Sequence, residues 1–211
     1  MSFFDRKVVI VTGSSAGIGR ETARRFAENG AKLTITGRNV KALQETAKSC
    51  IFSGAKAADI HTVFGDIRSK ETQEAIVNET VKKFGKIDVL VNNAGAIIPN
   101  AEGKRGLDVP VEDLRAVMDL NLDSMVAITQ LTTPHLEKTK GAIVNISSIA
   151  AFPLVSNDFY YNIAKAAVDQ FTTHLAGNLI KKGIRVNGIN PGAIETDFMS
   201  RHVGDAVKQQ V

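Results

Sequence analysis

The chain has 211 residues, 44% hydrophobic and 23% charged, with a net charge of +4; this is globular composition and excludes collagen-like, coiled-coil and disordered classes. Its single cysteine, Cys50, excludes an internal disulfide and zinc sites built on paired cysteines, and the four histidines fall at no metal-ligand spacing, so no metal is expected. The 26 basic residues are interleaved with 22 acidic ones and tryptophan is absent, which argues against a nucleic-acid surface; with no secretory signal and no run of ~18 apolar residues for a membrane span, a cytoplasmic protein is expected.

Short β-branched runs alternate with longer helical patterns along the chain. Strands are predicted at 7–12, 32–36, 60–64, 87–91, 141–147 and 184–190. Helices are predicted at 17–28, 39–50, 70–84, 111–137 with a break left open, and 159–182, the first ending at Asn29-Gly30 and the last at Gly183. This is the rhythm of βαβ units, so the expected fold is α/β: a Rossmann-type doubly wound parallel sheet of about six strands, its ligand crevice at the strands' carboxyl ends. No repeat, low-complexity tract or linker divides the chain, and residues 1–211 are read as one domain. Irregular stretches at 96–110, 149–158 and after 191 fall on the carboxyl side, where binding residues sit.

Directly after the first strand comes Thr12-Gly13-Ser14-Ser15-Ala16-Gly17-Ile18-Gly19, leading into a helix. Glycines there permit a tight turn and bring backbone N–H groups at a helix N-terminus up to a pyrophosphate. The spacing is Gly-x3-Gly-x-Gly rather than G-x-G-x-x-G. The same residues satisfy the G-x-S-x-G nucleophile elbow with Ser15 as nucleophile, but that site needs an oxyanion loop from an earlier strand and only one strand precedes Ser15. A nucleotide site is therefore expected. At the end of the second strand, NAD selectivity calls for an acid on the ribose 2′-hydroxyl, whereas this chain has Arg38, whose guanidinium fork suits a 2′-phosphate. NADP is expected over NAD.

Tyr161 and Lys165 are four apart at the start of a helical pattern and share a face. A phenol titrates near 10, and an ammonium one turn away favours its ionised form. Tyr160 has no lysine four ahead and reads as a packing residue. Ser148 follows the fifth strand, where a hydroxyl can bond a substrate oxygen, and Asn92-Asn93-Ala94-Gly95 follows the fourth. Ile97, Ile98, Phe152, Pro153, Leu154 and Phe159 in the irregular stretches suggest an apolar pocket or loop packing.

In order along the chain stand Thr12 to Gly19, Asp66, Asn92-Asn93-Ala94-Gly95, Asn121, Ser148, Tyr161-x3-Lys165, Pro191-Gly192 and Thr196. On these motifs the chain resembles the short-chain dehydrogenase/reductase family over essentially its whole length. The resemblance implies reversible hydride transfer between NAD(P) and an alcohol or carbonyl. It implies Tyr161 as general acid for carbonyl reduction, Ser148 polarising the carbonyl oxygen, and Lys165 holding the nicotinamide ribose while depressing the Tyr161 pKa. Asn121 would position a water in a proton relay. Gly13, Ser15, Gly17, Ile18 and Gly19 would form the cofactor turn, Asp66 would sit at the adenine, and Asn93 and Gly95 would lie near the ribose. Pro191, Gly192 and Thr196 would border the nicotinamide end. Family members commonly continue beyond the position where this chain ends, with a substrate lid and a seventh strand, so strand six is expected at a sheet edge.

The expected function is an NADP-dependent oxidoreductase acting on a small apolar carbonyl or alcohol. The alternative is an NADP-binding protein with little or no catalysis. The resemblance also suggests a homodimer or homotetramer paired through the helices carrying Asn121 and Tyr161, the latter with Ala164, Val168, Phe171, Leu175 and Leu179 in a stripe that could instead serve the core.

Overall fold

In the computed structural model, which describes residues 2–153 and 158–196, every predicted strand forms within two residues of its expected bounds. They are β1 (Val8–Val11), β2 (Lys32–Gly37), β3 (Ile60–Phe64), β4 (Val89–Asn92), β5 (Ala142–Ile146) and β6 (Arg185–Ile189). The helices between them are α1 (Gly17–Glu28), α2 (Val40–Phe52), α3 (Lys70–Phe84), α4 (Val111–Met118), α5 (Ser124–Thr139) and α6 (Phe159–Leu179). Local chemistry sets their starts. The Asn39 side chain accepts from the Ala42 N–H at 3.0 Å and opens α2, while Ser69 Oγ accepts from the Thr72 N–H at 3.1 Å and opens α3.

The strands form one parallel sheet in the order β3-β2-β1-β4-β5-β6. Strand direction alternates side chains between faces. On one face Val9, Val11, Leu33 and Ile35 pack against Ala23, Ala27, Leu43 and Cys50 of α1 and α2. On the other, Ile10, Leu90 and Ile143 pack against Ile76 of α3, Ile128 and Leu136 of α5, and Leu179 of α6. The chain winds outward from β1 to β3, then restarts at β4 on the other side of β1. Beyond their carboxyl ends the chain turns from β1 and from β4 toward opposite sides of the sheet, which opens a crevice above it. At the opposite end, buried Asp88 ties the first half to the second. Its carboxylate accepts from the Val8 N–H at 2.8 Å and pairs with Lys86 at 2.8 Å and Lys7 at 3.3 Å.

Two readings of the sequence resolve here. The helical stretch at 111–137 is not one regular helix: α4 and α5 meet through a π-helical turn at Asp119–Asp123, a widened turn of the kind often found at functional sites. The apolar stripe on α6 serves the core. Ala164, Val168 and Leu179 are buried, Leu175 packs against the core cluster that holds Leu179, and Phe171 is half-buried, so the stripe is not a free pairing face. Among the described residues β6 pairs only with β5.

Candidate active site

The turn after β1 is built around Gly13, whose φ is +65° and where a Cβ would lie 2.8 Å from the Ala94 Cα. A side chain there would be strained and would push the β1 and β4 loops apart. Thr12 and Asn93 lock the two loops together. The Thr12 hydroxyl accepts from the N–H groups of Asn93 and Ala94, both at 3.0 Å. The Asn93 amide donates to the carbonyls of Thr12 (2.9 Å) and Gly13 (3.0 Å). Ser14 Oγ donates to the Val11 carbonyl, and Arg20 braces the turn from behind, its Nη2 on the Ser15 carbonyl at 2.6 Å and its Nε on Thr46 at 3.2 Å. Nothing in the sequence singles out Arg20.

The first turn of α1 carries no acidic residue, and Ala16 at its start has no side chain with which to cap the free N–H groups. Those donors face a cavity of about 310 Å³ lined by Gly13, Ser15, Ala16, Gly17 and Ile18. An uncapped helix start beside such a backbone cradle suits a phosphate, so the residues fit a dinucleotide. The cavity continues past Arg38 and Asp66 on one side, and past Asn93, Gly95, Ser148, Tyr161, Lys165, Pro191, Gly192 and Thr196 on the other. Among the described residues no histidine lines it to serve Ser15 as the base that a hydrolase needs.

Two residues expected at the site lie behind its wall. Gly19 sits inside the first turn of α1, where a Cβ would collide with the Asn93 amide and the Gly13 carbonyl. Asn121 is fully buried in the π turn. Its amide nitrogen donates to the carbonyls of Ala96 and Val117, both at 2.9 Å, and its oxygen accepts from the Ala96 N–H at 3.1 Å. The side chain thus spends both amide hydrogens and one of its two oxygen lone pairs on holding the β4 loop against the helix. It still adjoins the chemistry, because a Cβ on Gly95 would lie 2.7 Å from Asn121 Oδ1 and 3.3 Å from Lys165 Nζ.

At the far end of the cavity, burial pushes the Tyr161 phenol above its ordinary range, a hydrogen bond with Ser148 draws it partly back, and the Asp158 charge raises it again. Lys165 lies within the protein, its Nζ donating to the Ile146 carbonyl at 2.9 Å and standing 5.6 Å from the centre of the Tyr161 ring. Burial lowers its pKa to about 8 against the opposing pull of Asp169. Burial is the largest influence on the phenol and its net direction is upward; Lys165 gives one of its three ammonium hydrogens to the Ile146 carbonyl and stands over the ring.

Asn190 ties the surrounding elements together, donating to the Ser148 carbonyl at 3.0 Å and to the Asp169 carboxylate at 2.9 Å. The Ile149 N–H bonds the Pro191 carbonyl at 3.0 Å. Tyr160, read as a packing residue, donates from its hydroxyl to the Val109 carbonyl at 2.8 Å and fastens the 96–110 loop to α6. The sequence leaves Ile97, Ile98, Phe152, Pro153 and Phe159 open between a pocket and loop packing, and among the described residues they stand outside the cavity. Ile98 packs on the core and Phe152 is exposed. Leu154 lies outside the described residues. Ala94, Ala96, Leu120, Ile146 and Ile194 supply the apolar lining instead.

The family model for short chain dehydrogenases matches residues 7–206. Over 208 residues the chain is 35% identical to the 7alpha-hydroxysteroid dehydrogenase of Escherichia coli K12, covering 98% of this chain and 78% of that protein. A short-chain dehydrogenase/reductase of unknown function from Caenorhabditis elegans, solved with cofactor, superposes with a TM-score of 0.93 at 46% identity, over 98% of this chain and 77% of that one. A 7α-hydroxysteroid dehydrogenase complexed with NADH and 7-oxo glycochenodeoxycholic acid superposes at 0.90 with 35% identity, over 98% and 78%. The chain belongs to the short-chain dehydrogenase/reductase family. It is an oxidoreductase of that class, working by hydride transfer between a nicotinamide cofactor and an alcohol or carbonyl.

Proposed function

We propose that the protein is an NADP-dependent reductase of an apolar ketone or aldehyde, with Tyr161 as its proton donor. The observation that carries this reading is that Ser148, Tyr161 and Lys165 line the same cavity as the glycine turn and Arg38. The cofactor supplies the hydride; the chain supplies orientation and the proton. Ser148 and Tyr161 present two hydroxyls to a substrate oxygen. Tyr161, its phenol held protonated by burial, gives its proton to that oxygen as negative charge develops. Lys165, beside the ring, would hold the ribose hydroxyls of a bound cofactor with the ammonium hydrogens not given to Ile146, and its charge would steady the resulting phenolate. Asn121 fixes the π turn that forms the floor, and through it any water relaying protons to solvent. Arg38, with its side chain 65% exposed at the cavity's edge, is the group for the 2′-phosphate.

The same reading makes the protein a homodimer. Phe159 and Ile163 leave an exposed apolar strip on α6, and Leu107 and Val111 leave another at the start of α4, which packs beside it. The test of the chemistry is NADPH oxidation at 340 nm against a panel of ketones and aldehydes. Tyr161→Phe is expected to lower kcat about a hundredfold or more while leaving NADPH affinity near that of the wild type, because it removes the proton and keeps the ring. More than about a tenth of the activity retained would remove Tyr161 from the role.

A further inference from the structure

Asp66, just past β3, carries two guanidinium groups that hold it unequally. Arg68 Nε donates to Oδ1 at 3.0 Å, its Nη2 to Oδ2 at 2.6 Å, and its backbone N–H to Oδ1 at 3.0 Å. Arg38 Nη1 stands 3.8 Å from Oδ2, beyond hydrogen-bonding distance, with most of its side chain in solvent. Arg68 is therefore the true partner of the carboxylate. It neutralises the charge and fills both oxygens in the fork-to-fork geometry that makes such pairs strong. The Asp66 pKa reflects the same ranking: it falls to about 2, with the Arg68 hydrogen bond the largest cause and the Arg38 charge the smallest. Arg68 does not line the cavity, whereas Arg38 and Asp66 do.

Removing Arg68 changes what Arg38 faces. An unneutralised carboxylate already within 4 Å would become the nearest anion, able to take the Arg38 fork and to repel a phosphate arriving beside it. We propose that Arg68 is a positioning residue for cofactor choice: by occupying Asp66 it leaves the Arg38 guanidinium available to the 2′-phosphate of NADP. This inference rests on the NADP reading above and adds to it a residue outside the cavity's lining.

The experiment measures dissociation constants of the full chain for NADPH and NADH by nicotinamide fluorescence. It uses the wild type, Arg38→Asp, Arg68→Ala, Asp66→Asn and the double variant Arg68→Ala/Asp66→Asn, with a thermal midpoint for each. Arg68→Ala is expected to lower the preference for NADPH over NADH about tenfold, chiefly by weakening NADPH. In the Asp66→Asn background, where no carboxylate can capture Arg38, the same substitution is expected to change the preference by less than about twofold. Arg68→Lys, which keeps the charge and loses the fork, is expected to fall between, and serves if the alanine variant does not fold. If the wild type prefers NADPH and Arg68→Ala leaves that preference unchanged, this inference is overturned and the NADP reading stands. An equal loss in both backgrounds would mean that Arg68 reads the phosphate itself. A parallel loss of both cofactors with a lower thermal midpoint would reduce its role to structure. Either result overturns the proposal. A wild type that binds NADH as tightly as NADPH overturns the NADP reading, and this inference with it.

Discussion

The role proposed for Lys165 implies a pH limit on the reaction. Its pKa of about 8 comes from burial, only partly opposed by Asp169, so it is charged below that pH and neutral above it. The Tyr161 phenol, raised by its own burial, keeps its proton throughout that range. Carbonyl reduction is therefore expected to fall as pH rises through about 8 while the proton donor remains protonated. A kcat/KM profile whose alkaline limb lies near 10, where an unperturbed phenol titrates, would contradict the role given to the lysine. Tyr161, Lys165 and Ser148 were legible in the sequence because a four-residue helical spacing and a strand end fix where side chains go. What the phenol and the ammonium feel was not, since desolvation depends on what surrounds them in the fold. Asn121 illustrates the difference: its position is apparent from the resemblance, yet its set of backbone hydrogen bonds appears only when the β4 loop meets the π turn.

At the level of elements, the strands and most helix bounds follow directly from periodicity and caps, because buried parallel strands and amphipathic helices leave distinct patterns. The π turn at Asp119–Asp123 does not, since the phase shift of an extra residue reads in the sequence only as a break in the helical pattern and does not tell a wide turn from a loop. The choice between an apolar pocket and loop packing stays open in the sequence for a related reason: a loop's hydrophobic residues carry no period that tells which way they point. The join between the halves of the sheet depends on Asp88. Burial acts to raise its pKa, and hydrogen bonds from Lys86, the Val8 N–H and Lys7 outweigh this and hold it below its ordinary value. A carboxylate with a depressed folded pKa stabilises the fold above its unfolded value near 4, and that contribution is lost as pH falls through the folded one. Asp88→Ala strands the Val8 N–H and is expected to cost about 2 kcal/mol at neutral pH, a fall of about 6 °C in Tm. The loss of stability on acidification below about pH 4 should also be shallower than in the wild type. Thermal melts at pH 7 and pH 3 check both; equal midpoints at pH 7 would show that the clamp contributes nothing.

For the whole molecule, the two sides of the sheet are filled by separate cores, and the apolar side chains left exposed on α4 and α6 are those assigned to pairing. Ile163→Arg, at a half-exposed position on α6, is expected to convert a dimer to a monomer in light scattering at micromolar concentration while leaving the far-UV circular dichroism unchanged, because a charge there is costly only if a partner covers it. A wild type that is already monomeric would contradict the pairing. The reaction itself is tested most directly by following the hydride. The full chain is incubated with NADPH carrying deuterium at the transferred position of nicotinamide C4, together with a carbonyl from the panel that supports turnover, and the alcohol is examined by mass spectrometry. The account expects one deuterium on the former carbonyl carbon, with the hydroxyl proton taken from solvent by way of Tyr161; NADPH binding with no labelled alcohol from any member of the panel would contradict it.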